Sequence, residues 1–144
     1  AREDHGPIFA QEWFVPSSLA AGDVIFRSAG KLAGKLLVPL LAKAVDQELV
    51  GTPQDHRRAT RAPRPRPEDA FVRPLEWTCD ALIRFACGAP YFRTPWLTLG
   101  EENYFLRRGL KAERGKRVPG EHAVVGGHLV VQCRDGIAHL EIQT

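Results

Sequence analysis

Ala123-Val124-Val125-Gly126-Gly127-His128-Leu129-Val130-Val131-Gln132-Cys133-Arg134-Asp135-Gly136-Ile137-Ala138-His139-Leu140-Glu141-Ile142 contains three short runs of β-forming residues. Gly126-Gly127 and Arg134-Asp135-Gly136 separate them, and both are strong hairpin signals because the favoured two-residue turns need backbone conformations that glycine adopts at low cost. Upstream, Trp96-Leu97-Thr98-Leu99 and Tyr104-Phe105-Leu106 flank a turn containing Gly100. About five short strands joined by glycine turns predict a small barrel or curled sheet. Thr78 can cap a short helix over Cys79–Cys87, whose apolar stripe is Ala81, Leu82, Phe85 and Ala86 and whose stop is Gly88.

Residues 54–69 have a different character. Arg57, Arg58, Arg61, Arg64 and Arg66 alternate in part with Pro63, Pro65 and Pro67. Such a run resists helix and favours an extended chain. It therefore reads as a linker between residues 1–53 and a carboxy-terminal domain over 70–144. Before the linker, Phe26, Ala29, Leu32, Ala33, Leu36, Leu37, Leu40, Leu41 and Ala44 recur at spacings of three and four. This pattern predicts a long helix with a broad apolar face, capped by Asp23, kinked at Pro39 and ending near Gln47–Val50. A helix this apolar requires cover. Earlier still, Ile8–Val15 reads as a strand that needs neighbours.

With 144 residues, 44% hydrophobic and 26% charged, the chain has the composition of a globular protein. No apolar run approaches the ~20 residues of a membrane-spanning helix, and Ala1-Arg2-Glu3-Asp4-His5 is unlike a signal peptide. The expected location is the cytoplasm. The absence of methionine, even at position one, predicts a chain trimmed from something longer. Cys79 and Cys87, about two helical turns apart, are too distant for a disulfide. With Cys133 they read as buried structural thiols. His122, His128 and His139 lack metal-ligand spacing, so no metal site is expected.

Asp4-His5-Gly6-Pro7-Ile8-Phe9-Ala10-Gln11 resembles the Asp-x-Gly-Pro-Ile-x-x-Gln segment of folate-dependent formyltransferases. Later signals keep the same order: the long helix, Gly51-Thr52-Pro53-Gln54-Asp55, Ala62-Pro63-Arg64-Pro65, and Trp77 ahead of a short helix. The tail from Pro119-Gly120 to Gln143 is similar to the carboxy-terminal domain of methionyl-tRNA formyltransferases. The resemblance implies an α+β chain. It would comprise the last strand and helix of a Rossmann-like formyltransferase domain (1–53), a basic linker (54–69) and an OB-like small β-barrel (70–144). The activity implied is transfer of a formyl group from formyl-tetrahydrofolate to an amine, with an asparagine, a histidine and an aspartate at the site. Asp4 matches the aspartate; as a plain alternative it is a turn residue bonding its own backbone. The asparagine, the histidine and the folate-binding loop have no counterpart here, and His5 is too close to Asp4 to replace that histidine. The fragment alone is therefore expected to be inactive, and its partner to be the missing amino-terminal α/β half or a second copy.

Net charge is only +3, yet eleven of the 20 Lys and Arg fall in two clusters. One is the linker set Arg57, Arg58, Arg61, Arg64 and Arg66. The other is Arg107, Arg108, Lys111, Arg114, Lys116 and Arg117. Concentrated charge of this kind attracts phosphate, and the resemblance makes both clusters candidates for contact with tRNA. Tyr91, Phe92 and Trp96 offer stacking surfaces. The alternatives are an ordinary solvated surface, or a non-catalytic module that binds nucleic acid or another acidic partner.

Overall fold

A computed structural model describes residues 5–17, 20–91 and 93–143. Asp4 and Phe92 lie outside the described residues, and of Tyr91 only the backbone is described. The chain divides into two compact units. Ala1–Val15 with Phe26–Arg64 forms one, and Pro16–Ile25 with Pro65–Thr144 forms the other.

Helix α1 (Gly22–Asp46) continues through Pro39, and from Phe26 onward it is the main element of the first unit. With Asp23 as its cap the helix is expected to start at Val24; it begins two residues earlier, at Gly22. Asp23 sits inside the first turn, where its charge favours the positive end of the helix dipole, rather than at the cap. Ala29, Leu32, Leu36 and Leu40 lie half-buried along one stripe, while Phe26, Leu37, Val38, Leu41 and Val45 are exposed. The strand expected over Ile8–Val15 is not formed. Only Ile8 pairs, in an isolated antiparallel bridge with Thr52, and Trp13 and Val15 are exposed. High β propensity cannot make a strand without a second strand to receive its hydrogen bonds, and Thr52 supplies a partner for one residue.

The second unit holds helix α2 (Cys79–Gly88) and five strands: β1 (Trp96–Leu99), β2 (Glu102–Arg114), β3 (His122–Val125), β4 (His128–Cys133) and β5 (Gly136–Ile142). All neighbours are antiparallel, in the order β1-β2-β5-β4-β3. The sheet curls. The ring of Tyr104 on β2 meets that of His122 on β3 edge-on at 5.9 Å, although β5 and β4 stand between them in the ladder. The small, β-rich carboxy-terminal domain is thus present, in a chain of α+β class.

Gly126 and Gly127 join β3 to β4 with φ of 58° and 79°, the left-handed region that makes this turn a glycine position. Alternation then sets the core. Leu129, Val131 and Cys133 of β4 and Ala138 and Leu140 of β5 face one side with Leu106, and α2 covers them through Cys79, Leu82, Ile83, Ala86 and Cys87. Gly109 on β2 is where the helix comes nearest, since a Cβ there would lie 2.5 Å from the Ile83 carbonyl oxygen.

β2 is much longer than Tyr104–Leu106. The run Arg107–Arg114, read from the sequence as a basic cluster, is strand because it pairs with β5 as far as Arg114 opposite Gly136, and several of its cations meet carboxylates alongside. Arg107 pairs with Glu141 at 3.1 Å, Lys111 with Glu113 at 3.2 Å, and Arg114 donates to Asp80 on α2 at 2.6 Å.

The start of α2 is held from two directions. Thr78 Oγ1 accepts from the Ala81 amide at 3.2 Å, as its sequence position predicted, and Asp135 in the β4–β5 turn accepts from the Cys79 amide at 2.7 Å. That amide bond keeps the Asp135 carboxyl below the usual carboxylate range. A group with a depressed folded pKa stabilises above its unfolded pKa and loses that contribution as pH falls through the folded value. Asp135→Ala should therefore lower the melting temperature by about 3–6 °C at pH 7. The gap between the two proteins should narrow as pH drops from about 5 to 3, since the lost contribution is one the variant never had. Parallel thermal melts across this range measure it; a gap that stays constant would show that the carboxylate charge is irrelevant.

Candidate functional site

Gly6-Pro7-Ile8 and Gly51-Thr52-Pro53-Gln54 meet in the first unit, although more than forty residues separate them in the chain. The Ile8 amide donates to the Thr52 carbonyl and the Thr52 amide to the Ile8 carbonyl, both at 2.8 Å. Gln54 Nε2 donates to the Gly6 carbonyl at 2.7 Å. Gly51 permits the approach: a Cβ at that position would lie 2.7 Å from Pro7 Cβ and 3.1 Å from the Phe9 ring. Beyond the bridge the His5 and His56 rings stack, with centroids 4.5 Å apart and planes inclined by 27°.

Asp55 extends the arrangement. Its carboxylate accepts from the Arg57 guanidinium at 3.0 Å and from the Arg57 amide at 3.1 Å, opening a 3₁₀ turn over His56–Arg58. The two Arg57 bonds, the side-chain one above all, lower the Asp55 pKa. Together these contacts form a clamp on the segment immediately following Asp4. Its parts were visible in the sequence as turn residues. Their meeting was not, and neither Gln54 nor His56 stood out as a functional position. Glutamine within a Gly-Thr-Pro-Gln turn carries no chemical signature until its partner carbonyl is known.

The basic candidates are dispersed and partly neutralised. In the linker, Arg57 is bound to Asp55, and Arg66 lies 3.9 Å from Glu68. Arg58, Arg61 and Arg64 are exposed, with no carboxylate partner among the described residues. On the second unit, Arg107, Lys111 and Arg114 are ion-paired, while Arg108, Lys116 and Arg117 are exposed without such a partner among the described residues. The Trp96 ring is not a free stacking surface, because Phe71 packs on it with centroids 4.5 Å apart.

Cys79, Cys87 and Cys133 are all free and buried. Burial pushes the Cys133 thiol up to about 12, so no thiolate is available there near neutral pH. His139 bonds Glu113 at 2.9 Å, and no group of three metal-ligating side chains occurs among the described residues. Nor is any described helix long and apolar enough to cross a membrane.

A hollow of about 260 Å³ is lined by the 71–76 segment together with residues of β1 and β4 and Glu121. Val72, Leu99 and Val131 contribute to its walls and Arg73, Glu76 and Glu121 also line it. Gln132, which faces it as well, spends its side chain on the Val118 amide and the Cys133 and Gly136 carbonyls.

No protein-family model and no curated protein sequence matches this chain. Solved structures do. A variant of HypX from Aquifex aeolicus carrying four substitutions superposes with a TM-score of 0.77 at 16% identity, over 97% of this chain and 26% of that one. A second HypX variant from the same organism, carrying two substitutions, gives 0.76 at 19% identity, over 97% and 25%. The chain thus spans about a quarter of the length of that protein, and the likeness is one of fold.

Proposed function

We propose that this chain is a portion of a folate-dependent formyltransferase, with a first unit that ends a Rossmann-like catalytic domain and a second that is an OB-like barrel. In the net reaction an amine nitrogen exchanges a proton for a formyl group, and the donor nitrogen of formyl-tetrahydrofolate makes the reverse exchange. The observation that carries this reading is the clamp. Two separate stretches of the formyltransferase-like pattern, Asp4–Gln11 and Gly51–Asp55, are bonded to each other through Gly6, Ile8, Thr52 and Gln54. A chance match of two short motifs gives no reason for them to meet. Further support comes from HypX, in which nearly this whole fold forms part of a longer chain.

The described residues do not by themselves fit formyl-tetrahydrofolate. Gly6, Pro7, Ile8 and Phe9 are exposed rather than walls of a cavity, and no buried side-chain polar atom among the described residues lacks a partner. Binding of the donor belongs in this reading to the preceding α/β half, which would also cover the exposed apolar side of α1. Asp4 contributes the catalytic carboxylate. The test is an assay of the full-length gene product with formyl-tetrahydrofolate and a panel comprising an aminoacyl-tRNA, an amino-sugar nucleotide and small primary amines. One of these should yield tetrahydrofolate and formylated amine in equal amounts. A folded protein that formylates none of them, methionyl-tRNA included, removes the assignment.

A second reading rests on Arg58, at the end of the 3₁₀ turn, and on Arg61 and Arg64 in the irregular stretch after it, all three exposed. It makes the chain a module that holds tRNA or another polyanion. Affinity for tRNA should then fall with salt at a log–log slope of roughly 0.7–0.9 per phosphate contact. Replacing the three arginines with glutamine should reduce that slope by about two to three. No binding at low salt would exclude it.

A further inference from the structure

We propose that Thr60 is a phosphorylation site, read by an arginine-directed serine/threonine kinase through Arg57 and Arg58; this inference is independent of formyl transfer. Arg57-Arg58-Ala59-Thr60-Arg61 places two arginines three and two residues ahead of a hydroxyl. No other serine or threonine of the chain has an arginine at either distance. A guanidinium meets a carboxylate through two parallel N–H donors. Consecutive arginines at a fixed distance from the acceptor are therefore a pattern that a cleft lined with acidic side chains can read.

The geometry leaves the site open. Thr60 is exposed, as is every residue from 52 to 69. Ala59 has an extended backbone, with φ −64° and ψ 131°, and residues 59–66 belong to neither helix nor strand. Laying this stretch along a kinase cleft breaks no ladder of hydrogen bonds. One contact must be exchanged: Arg57 is held by Asp55 at 3.0 Å, but its side chain is 92% exposed, and a surface pair of this kind offers little resistance. Arg58 and Arg61 have no carboxylate partner among the described residues.

The co-reactant is ATP, with the kinase supplying magnesium and a catalytic carboxylate. Thr60 Oγ1 bonds to the γ-phosphorus as the bond from that phosphorus to the bridging oxygen breaks. ADP leaves with the bridging oxygen, and the hydroxyl proton passes to the kinase carboxylate. Residues 55–64 hold four arginines and one aspartate, a net +3 with His56 neutral. A phosphate adds about −2, leaving roughly +1. Its oxygens would also compete with Asp55 for Arg57. The modification thus removes most of the field that this stretch offers to an external polyanion.

The experiment incubates the full-length protein with γ-labelled ATP, magnesium and a purified arginine-directed serine/threonine kinase, and maps the label by mass spectrometry. A single phosphate should appear on Thr60, and Thr60→Val should take none there. Arg57→Gln combined with Arg58→Gln should lower the kinase's kcat/KM for this protein on the order of 100-fold. Arg58→Lys, which keeps the charge and loses the fork, should fall between that variant and the parent. Since these positions are exposed, the variants should melt within about 2 °C of the parent. The protein isolated from the cells that make it, with phosphatases inhibited, should carry the same phosphate. Label mainly on another residue, or a double arginine variant phosphorylated as fast as the parent, overturns the proposal. So does a Thr60 that accepts phosphate from the purified kinase but carries none in the protein taken from its cells.

Discussion

Gly109→Val should unfold the second unit at temperatures where the parent is native, and Gly109→Ala should lower its melting temperature by roughly 5–20 °C. The reason lies where α2 crosses β2. A Cβ at Gly109 would lie 2.5 Å from the carbonyl oxygen of Ile83 and 2.9 Å from its Cα and Cγ2. Two of those three atoms are backbone, so no rotamer change relieves the contact; the helix itself must lift from the sheet. Lifting it loosens the packing of Leu82, Ile83, Ala86 and Cys87 against Leu106, Leu129 and Leu140, residues that are at most 3% exposed. It also stretches the 3.4 Å contact from the Cys87 thiol to the Gly109 carbonyl.

Overpacking of this kind costs about 1–3 kcal/mol, and each kcal/mol moves the melting point of a domain this size by about 4–8 °C. Two comparisons sharpen the measurement. Gly88→Ala, where an added Cβ meets nothing within 4 Å, should leave stability within about 1 kcal/mol or raise it. Ile83→Ala combined with Gly109→Ala should fail to rescue, because shortening the side chain leaves the carbonyl and the Cα in place. A Gly109→Ala protein that melts within about 2 °C of the parent would mean that α2 packs elsewhere.

The sheet was legible because its information is local. Gly126-Gly127 and Asp135-Gly136 mark turns within a few residues of the strands they join, and the β-forming runs His128–Cys133 and Ile137–Ile142 between and after them are mostly buried. The reach of β2 was hidden for the opposite reason. Arg107, Lys111 and Arg114 read only as members of a basic cluster; the ladder to β5 and the carboxylates Glu141, Glu113 and Asp80 come alongside in the fold, and two of those three carboxylates belong to other elements. Ile8–Val15 misled in the other direction, since residue preference describes a strand's willingness and not its partner. The clamp combines both limits. Gln54 and Gly6 are 48 residues apart, and no periodicity or spacing rule connects a turn amide with a carbonyl at that separation. What the sequence did carry was the kind of segment involved: turn chemistry around Gly6-Pro7 and again around Gly51–Gln54.

In the full-length protein, Asp4→Asn should reduce kcat for formyl transfer on the order of 10²–10⁴-fold, with little change in KM or in melting temperature. A carboxylate beside an imidazole does two things that an amide of the same shape cannot. It accepts the imidazole N–H with both oxygens, and its negative charge stabilises the imidazolium form when a proton arrives. The asparagine variant offers one acceptor and one donor, so it can hold the imidazole in the wrong tautomer and leaves the cation without compensation. The loss should therefore fall on the chemical step. Stability should be spared, because the buried cluster that holds the second unit together draws no residue from before Val72. The pH profile gives an independent reading. If Asp4 has the role proposed for it, removing its negative charge should lower the pKa of the imidazole with which it would pair, so the limb of the kcat profile governed by that histidine should move to lower pH. Asp4→Glu, which keeps the charge but displaces it by one methylene, should fall between the parent and Asp4→Asn if geometry and charge both matter. Parental kcat in Asp4→Asn would leave Asp4 as the turn residue its neighbours Gly6 and Pro7 make natural, and the clamp would then be holding a bend rather than a catalyst.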